Sequence, residues 1–237
     1  MSKELLCLYL DGPLQSWGTR SRWDVRDTGQ EPSKSGVIGL LGCALGYPVG
    51  DLRLQELDEQ LRMGVRVERS GTILVDFQTT TGAFMAADGR FRGTSDKPYT
   101  VVSPRSYLND ASFLVILEGP ESILRRCARA LQEPRWPIYL GRKSCIPTRP
   151  VLGGLEDKYQ SLEDALARYP WEPTYEGEVP PQQLRCIVED PSGTHLRSDL
   201  LVVNPVRMYQ YRTVSILWVD FPGIESKNGS AAEGGGM

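Results

Sequence analysis

The order of the apolar segments in the first 140 residues constrains the fold more than any other feature of this sequence. Residues 5–10 form a compact apolar run that is typical of a buried strand. A helix is predicted over residues 32–46, because a serine cap precedes an apolar run with helical spacing. The alternating segments 63–68 and 72–77, with Ser70-Gly71 between them, predict a β-hairpin.

The next segments complete a known arrangement. Residues 112–117 are predicted to form a strand, residues 120–132 an amphipathic helix, and a strand is expected near residues 138–140. This order is the split β-α-β unit of ferredoxin-like domains, which many RNA-recognition modules share. Further apolar runs predict a second set of strands at residues 184–189, 200–203 and 214–219.

Two glycine-rich features interrupt the pattern. Glycines at 36, 39, 42 and 46 share one face of the first predicted helix, where each costs about 1 kcal/mol relative to alanine. We expect this face to pack closely on another backbone. Residues 79–106 combine threonine, glycine and proline with four basic side chains, so this long insertion is either functional or disordered.

The composition bounds the class of protein. A chain of 237 residues can form one large domain or two small ones. No apolar run reaches the roughly 20 residues of a membrane span, and the N-terminus lacks signal-peptide features, so we expect a cytoplasmic protein without membrane contact. The five cysteines are dispersed, which favours reduced thiols over disulfides or a zinc site.

Charge is unevenly distributed along the chain. The net charge is −3, but residues 156–178 contain seven carboxylates and only two bases. Residues 134–155 contain four bases and no acid. Charge alone favours a solvated mixed surface, although local basic faces of this kind also suit nucleic acid.

Catalytic signals are absent from the sequence. The single histidine, His195, follows a turn-like Pro-Ser-Gly-Thr segment, where an exposed structural role is expected. The sequence lacks the phosphate-binding loop, the dinucleotide-binding glycine motif, the zinc-protease motif and the nucleophile elbow. We therefore expect no enzymatic activity, no metal and no cofactor.

Four segments, taken together and in order, resemble one family. They are residues 12–18 (GPLQSWG), 32–42 (PSKSGVIGLLG), 105–113 (RSYLNDASF) and 139–145 (YLGRKSC). Their order and spacing are similar to those of the CasD family, a subunit of the type I-E CRISPR Cascade complex within the RAMP superfamily. A weaker likeness lies at residues 206–214.

The resemblance implies an α+β fold: a ferredoxin-like (RRM-like) palm over residues 1–150, with an inserted β-hairpin thumb at about 79–108. It also implies a small β-rich C-terminal part at residues 181–224. Residues 151–180 are expected to form an acidic linker segment, and residues 225–237 a disordered tail. Members of the family hold the 5′ handle of the CRISPR RNA. They also contact the large and backbone subunits of Cascade, which recognises target DNA in antiviral defence.

Candidate RNA-binding residues follow from the matched segments and the local basic faces. The helix N-terminus at Ser33, Lys34 and Ser35 favours an anion such as phosphate. Trp17 could stack on an unpaired base or pack in the core over that helix. The remaining candidates are contributed by the loops and the insertion: Gln15, Ser16, Arg22, Arg26, Arg92, Lys97, Arg105, Tyr107, Gly141, Arg142 and Lys143. Tyr107 could instead simply pack, and Gly141-Arg142-Lys143 is the best phosphate site after Lys34.

Two rival functions remain open at this stage. Some relatives in other CRISPR subtypes are metal-independent endoribonucleases that cut precursor CRISPR RNA with a tyrosine, a lysine and a histidine. No histidine follows the candidate lysines in the palm here, which disfavours that activity. The other alternative is a general single-strand RNA-binding module, which would show no preference for a repeat-derived 5′ handle.

Overall fold

The computed structural model describes residues 4–19, 25–86, 88–173, 177–179, 181–204 and 206–220. The predicted C-terminal tail and Arg22 lie outside these residues. In chain order the elements are β1 (Leu5–Gln15), α1 (Lys34–Leu45), α2 (Leu52–Gln60), β2 (Arg62–Arg69), β3 (Thr72–Gly82), β4 (Phe84–Met85), β5 (Phe91–Arg92), β6 (Tyr99–Glu118), α3 (Glu121–Gln132), β7 (Leu152–Glu156), α4 (Leu162–Arg168), β8 (Gln183–Glu189), β9 (His195–Val202) and β10 (Met208–Asp220).

The ferredoxin-like palm is confirmed, with one strand in a different place from the prediction. Strands β7, β1, β6 and β2 are adjacent in that order and all pair antiparallel, as the split β-α-β arrangement requires. The predicted strand at residues 138–140 is wrong, since β7 is the edge strand beside β1. Residues near Leu140 form a loop instead. The backbone of Leu140 hydrogen-bonds to other loop residues: its carbonyl accepts from the Ser16 amide at 3.1 Å, and its amide donates to the Cys145 carbonyl at 2.8 Å.

The predicted hairpin between the segments at 63–68 and 72–77 is also wrong. β2 and β3 do not pair with each other; both lie along the 20-residue strand β6, one after the other. Gly71, with φ +67°, marks the junction between them, and Asp110 on β6 has φ +58°. Together β3 and the first part of β6 form a two-stranded arm, the hairpin arm, over residues 72–82 and 99–109. The arm, together with residues 83–98 that connect its two strands, spans the insertion in which a thumb was expected.

The predicted turn at residues 12–18 is only partly a turn. β1 continues through Gly12 and Leu14 to Gln15, still paired with β6, and the loop starts at Ser16. Pro13 is tolerated in this strand because β7 pairs with β1 only as far as Leu8, and the loop that follows along this edge hydrogen-bonds to the backbone of Tyr9 and Asp11.

The sheet is covered on both faces. α1 and α3 pack on one face, with Ile38, Leu41 and Phe113 in the core between them. The acidic segment covers the other face, where Leu162 and Leu166 of α4 pack on β6 and β2. The expectation of a linker for residues 151–180 is therefore wrong for its described part, because Leu162, Ala165 and Leu166 recur with helical spacing and bury one side of α4. Its carboxylates Glu163 and Asp164 are half-buried and pair with Arg62 and Arg168.

The three C-terminal strands extend the palm sheet beyond β2, in the order β8, β10, β9. They confirm a β-rich C-terminal part that continues the palm sheet. A buried ionic cluster joins these strands to the helices and consists of Lys34, Asp58, Glu189, Asp199 and Arg212. Burial raises the pKa of Asp58 to about 7, and the nearby carboxylates act in the same direction.

Candidate nucleic-acid interface

A half-open cleft with a volume of about 1190 Å³ runs along α1. Its walls come from α1, the loop after β1, the arm at Arg105, residues 136–146 and the start of β10. The helix forms one wall because residues three and four apart share a helix face, so Gly36, Gly39 and Cys43 lie in one row. No histidine lies among the lining residues of the described chain.

The cleft is strongly cationic although the whole chain carries a net charge of −3. Five cationic side chains and one carboxylate, that of Asp27, line it. The cations are Arg26, Arg105, Arg142, Lys143 and Arg207. Clustered cations in a concave site attract polyanions, and the attraction weakens as salt increases.

Gly141 lets the loop of residues 139–145 contact the loop after β1 at one end of the cleft. Its φ is +86°, and a Cβ at this position would lie 1.7 Å from the Ser16 carbonyl oxygen. Only glycine therefore allows residues 139–145 to sit against Ser16. The Cys145 amide donates to the Arg142 carbonyl at 2.8 Å and keeps this loop tight.

Arg142 binds the protein itself rather than standing free for phosphate. Its Nη1 donates to the Ser106 carbonyl at 3.0 Å, and its Nη2 donates to the carbonyls of Arg26 and Asp27 at 3.1 Å each. Its guanidinium also lies over the Tyr107 ring, 4.6 Å from the centroid. The side chain therefore clamps the 25–29 loop against the hairpin arm, and Tyr107, 3% exposed, packs beneath it.

Arg26, Arg105 and Lys143 present cationic groups to the cleft. Arg26 and Lys143 are exposed, and the Arg26 backbone pairs with β6 through the Pro104 carbonyl and the Ser106 amide. Arg105 is half-buried, and its Nε has no hydrogen-bond partner among the described residues. A buried donor without a partner is costly, so this guanidinium is incompletely satisfied by the described residues.

Gln15 and Trp17 hold the framework behind the cleft. The Gln15 amide nitrogen donates to the carbonyls of Leu10 and Ala111 at 2.8 Å each, and its oxygen accepts from the Trp17 indole at 3.0 Å. Trp17 is 1% exposed and lies against Gly36 of α1. Of the two roles considered for Trp17, the structure shows the packed one, and Gln15 has no surface to offer RNA.

The expected phosphate site at Lys34 is corrected by the structure. Lys34 is 2% exposed, and its Nζ donates to Glu189 at 2.8 Å. Its backbone amide donates to the Asp199 carboxylate at 2.7 Å. The anion at this helix N-terminus is therefore the protein's own carboxylate, while Ser33 and Ser35 still line the cleft.

Arg92 and Lys97 lie elsewhere. Both are exposed near the tip of the hairpin arm, where Arg92 pairs with Asp88 at 3.3 Å, and neither lines the cleft. The cleft instead contains residues that sequence reasoning missed, among them Tyr47, Trp136, Ile138, Arg207 and Tyr209. The last two lie in the 206–214 stretch, whose weak family likeness was the only available signal.

The chemistry of the cleft suits binding. Cys43 is the lining residue with a shifted pKa: burial raises it, while Lys143 acts in the opposite direction. The thiol is therefore protonated at neutral pH and is a poor nucleophile. Within the described ranges, no group of three or more His, Cys, Asp or Glu side chains is placed to hold a metal ion. The helices of those ranges also lack the length and apolarity needed to span a bilayer.

The fold and the cleft define the class: an α+β protein with a ferredoxin-like palm, a projecting hairpin arm and a cation-lined groove. The sequence matches the family model described as CRISPR-associated protein (Cas_Cas5) over residues 5–215. The chain therefore belongs to the Cas5 family of CRISPR-associated proteins.

Individual relatives agree with this assignment. The CRISPR system Cascade subunit CasD of Escherichia coli (strain K12) is 35% identical over 164 residues, which cover 64% of this chain and 71% of that protein. A chain of a solved CRISPR RNA-guided surveillance complex matches with a TM-score of 0.71 at 31% identity, over 92% of this chain and 91% of the other. A crystal structure of a Cas protein matches with a TM-score of 0.66 at 35% identity, over 92% and 100%. The resemblance drawn from the four sequence segments is confirmed.

Proposed function

We propose that this chain is a non-catalytic RNA-binding subunit of a type I-E Cascade complex, acting in the cytoplasm. In this proposal it holds the 5′ handle of the CRISPR RNA in the cleft along α1 and joins the large subunit to the backbone subunits, so that the complex can recognise target DNA. The observation that carries the proposal is the cleft itself: five cations and one carboxylate on a protein of net charge −3, in a relative of CasD.

The direct contacts are assigned to side chains and backbone that remain accessible. Arg26, Arg105 and Lys143 would bind phosphates, and Arg207 lies on the same cleft. Ser35, which is half-buried, adds a hydroxyl donor, and Gly141 brings backbone close to the ligand. Ser16 and Ser33 also line the cleft but are only 5% exposed each, so they support the site from behind. Gln15, Trp17, Lys34, Tyr107 and Arg142 support these groups from behind.

A binding role is favoured over the endoribonuclease alternative. His195 lies at the start of β9 and does not line the cleft, so the site lacks the usual neutral-pH acid and base. The assay is incubation of the purified protein with precursor CRISPR RNA. Specific cutting in the repeat without another processing enzyme would establish the alternative.

The hairpin arm supports the proposed contacts with partner subunits. On β3, Ile73, Val75 and Phe77 alternate and so share one face, and they are 58%, 48% and 70% exposed. An exposed apolar face of this kind is typical of a protein interaction surface. Phe91 and Met85, near the arm's tip, are 76% and 64% exposed.

Competition binding with handle RNA and an unrelated RNA of equal length tests the proposal. Arg26→Glu and Lys143→Glu should each weaken handle binding about fivefold or more and reduce its salt dependence, because each removes a phosphate contact. Arg168→Glu on α4, an exposed arginine on the opposite face of the sheet, is the matched control. Equal affinity of the wild-type protein for both RNAs would instead indicate a general single-strand RNA-binding module.

A further inference from the structure

The two halves of the cleft differ in chemistry. Three of the cations gather beside the first half of α1. Arg142 binds the carbonyls of Arg26, Asp27 and Ser106, the residue after Arg105, while Gly141 abuts Ser16 and the neighbouring Trp17 abuts Gly36. Lys143 lies further along the cleft, where its charge acts on the Cys43 thiol. The second half is mostly apolar, and its lining includes Cys43, Tyr47, Leu54, Trp136 and Pro137. The 135–138 segment lies along this half, because the Arg135 amide donates to the Ala44 carbonyl and the Cys43 thiol to the Pro137 carbonyl.

Gly39 opens the apolar half. A Cβ at Gly36 would lie 2.9 Å from the Trp17 ring, and a Cβ at Gly42 would lie 2.3 Å from Leu54, so both glycines serve packing within the protein. A Cβ at Gly39 would meet nothing within 4 Å, although the residue lines the cleft. Packing therefore does not explain this glycine, while a side chain here would project into the cavity.

We propose that the apolar half of the cleft binds an unpaired base of the same RNA whose phosphates lie against Arg26, Arg105 and Lys143. This inference rests on the proposed function and adds a base subsite to it. A strand held by its phosphates in the cationic half would place the next nucleotide in the apolar half, since the two are continuous along α1. Proteins that recognise single-stranded RNA splay bases out and stack them on aromatic rings.

Trp136 is the aromatic side chain assigned to this base. It is 41% exposed, unlike the buried Trp17, and it lies beside the second half of α1. Tyr47 offers less surface, because the Arg53 guanidinium already covers its ring at 3.9 Å. The base would therefore lie against Trp136 with its edge over Gly39, where no side chain competes for the space.

Two substitutions test the subsite. Gly39→Leu fills the cavity without a clash in the fold, and Trp136→Ala removes the stacking surface; each should weaken handle binding about tenfold, in the range that loss of one base–aromatic stack produces. Ser122→Leu, which adds the same side chain to an exposed position of α3, is the control and should bind as the wild type does. Thermal unfolding checks that Gly39→Leu folds.

Abasic handle RNAs identify the nucleotide. One abasic position should weaken binding to the wild type about tenfold and have no further effect on Gly39→Leu. Uniform binding of all abasic RNAs, or wild-type affinity in folded Gly39→Leu, would overturn the subsite even if the wild type prefers handle RNA. If Gly39→Leu binds RNA normally but fails to assemble with partner subunits, the base proposal is also overturned and the apolar half is a protein interface. Failure of the wild-type protein to bind handle RNA would instead refute the proposed function.

Discussion

The two faces of the central sheet differ in whether basic side chains are buried or exposed. On the α4 face, Arg66 is completely buried: its Nε donates to Glu68 at 2.6 Å, and its Nη1 donates to the carbonyls of Leu166 and Tyr169 at 2.7 and 2.8 Å. On the cleft face, Arg26 and Lys143 are exposed and reach toward an open cavity. Arg66 is satisfied within the protein on one face, whereas Arg26 and Lys143 are left for a ligand on the other.

This difference separates cations that build the fold from cations available for binding. Sequence reasoning cannot make the separation, because Lys34, Arg66 and Arg142 look like any other basic residue. Arg142 is intermediate: it lies on the cleft, but its guanidinium donates to three backbone carbonyls. The comparison predicts that substitutions will divide into those that unfold the protein and those that only weaken RNA binding.

The largest effect is expected for Arg66→Met. The substitution leaves the Glu68 carboxylate buried without its partner and frees the carbonyls that tie the end of α4 to the sheet. We expect a loss of about 3–5 kcal/mol in the free energy of unfolding. Urea denaturation measures it, with Arg168→Met as the control, and a loss below about 1 kcal/mol would mean that this face does not depend on its buried arginine.

The next effect concerns pH and Asp58. Its folded-state pKa of about 7 lies above the ordinary value of 3.8, so the folded protein holds this proton more tightly than the unfolded chain does. The contribution of the Asp58 proton to the free energy of unfolding is fully present below about pH 4 and is lost as the pH rises through about 7. The groups that face it are Lys34, Glu189 and Asp199.

Asp58→Asn removes this titration. Between pH 5 and pH 8 the wild type should lose about 2–3 kcal/mol more than the variant, as measured by urea denaturation at each pH. If the unfolding free energies of the two proteins change with pH in parallel, Asp58 has an ordinary pKa. The buried ionic cluster between the helices and β9 then adds no pH dependence to stability.

Arg142→Met should affect both properties. Loss of three hydrogen bonds to carbonyls and of the Tyr107 contact is expected to lower the free energy of unfolding by about 2 kcal/mol. The loosened 25–29 loop should also weaken handle binding. Normal stability with weakened binding would identify Arg142 as a direct phosphate contact, contrary to its position here.

The smallest effect on stability is expected for Lys143→Glu. This side chain is exposed and forms no hydrogen bond or ion pair with the described residues, so the unfolding free energy should stay within about 0.5 kcal/mol of the wild type. Thermal unfolding provides the measurement. A change above about 1 kcal/mol would place Lys143 with the structural cations instead.

Local signals predicted much of the fold. The serine cap and the glycine stop located α1, which begins at Lys34 and ends at Leu45 before the left-handed Gly46. The amphipathic helix α3 and the strands β8 and β10 also lie where periodicity indicated them, whereas β9 begins at His195, ahead of the predicted run at residues 200–203. Pairing was not predictable: Ser70-Gly71 reads as a turn, but long-range pairing with β6 makes it a junction between two strands.

The site was predicted less completely than the fold. The motif segments predicted Ser16, Ser33, Ser35, Arg105 and the Gly141 loop, and the local basic face predicted Arg26; all of them line one cleft. These local signals could not reveal that Asp199, distant in the sequence, occupies the helix N-terminus, or that Glu189 neutralises Lys34. Trp136 and Arg207 were missed because nothing local distinguishes a side chain that lines a cleft from one that is merely exposed.

Ultraviolet crosslinking of handle RNA to the protein, with the crosslinked peptides mapped by mass spectrometry, tests the central claim most directly. We expect crosslinks at Trp136, Tyr139 and Lys143, which line the cleft along α1. Crosslinks confined to α4, or to the hairpin tip around Arg92 and Lys97, with none from the cleft, would contradict it.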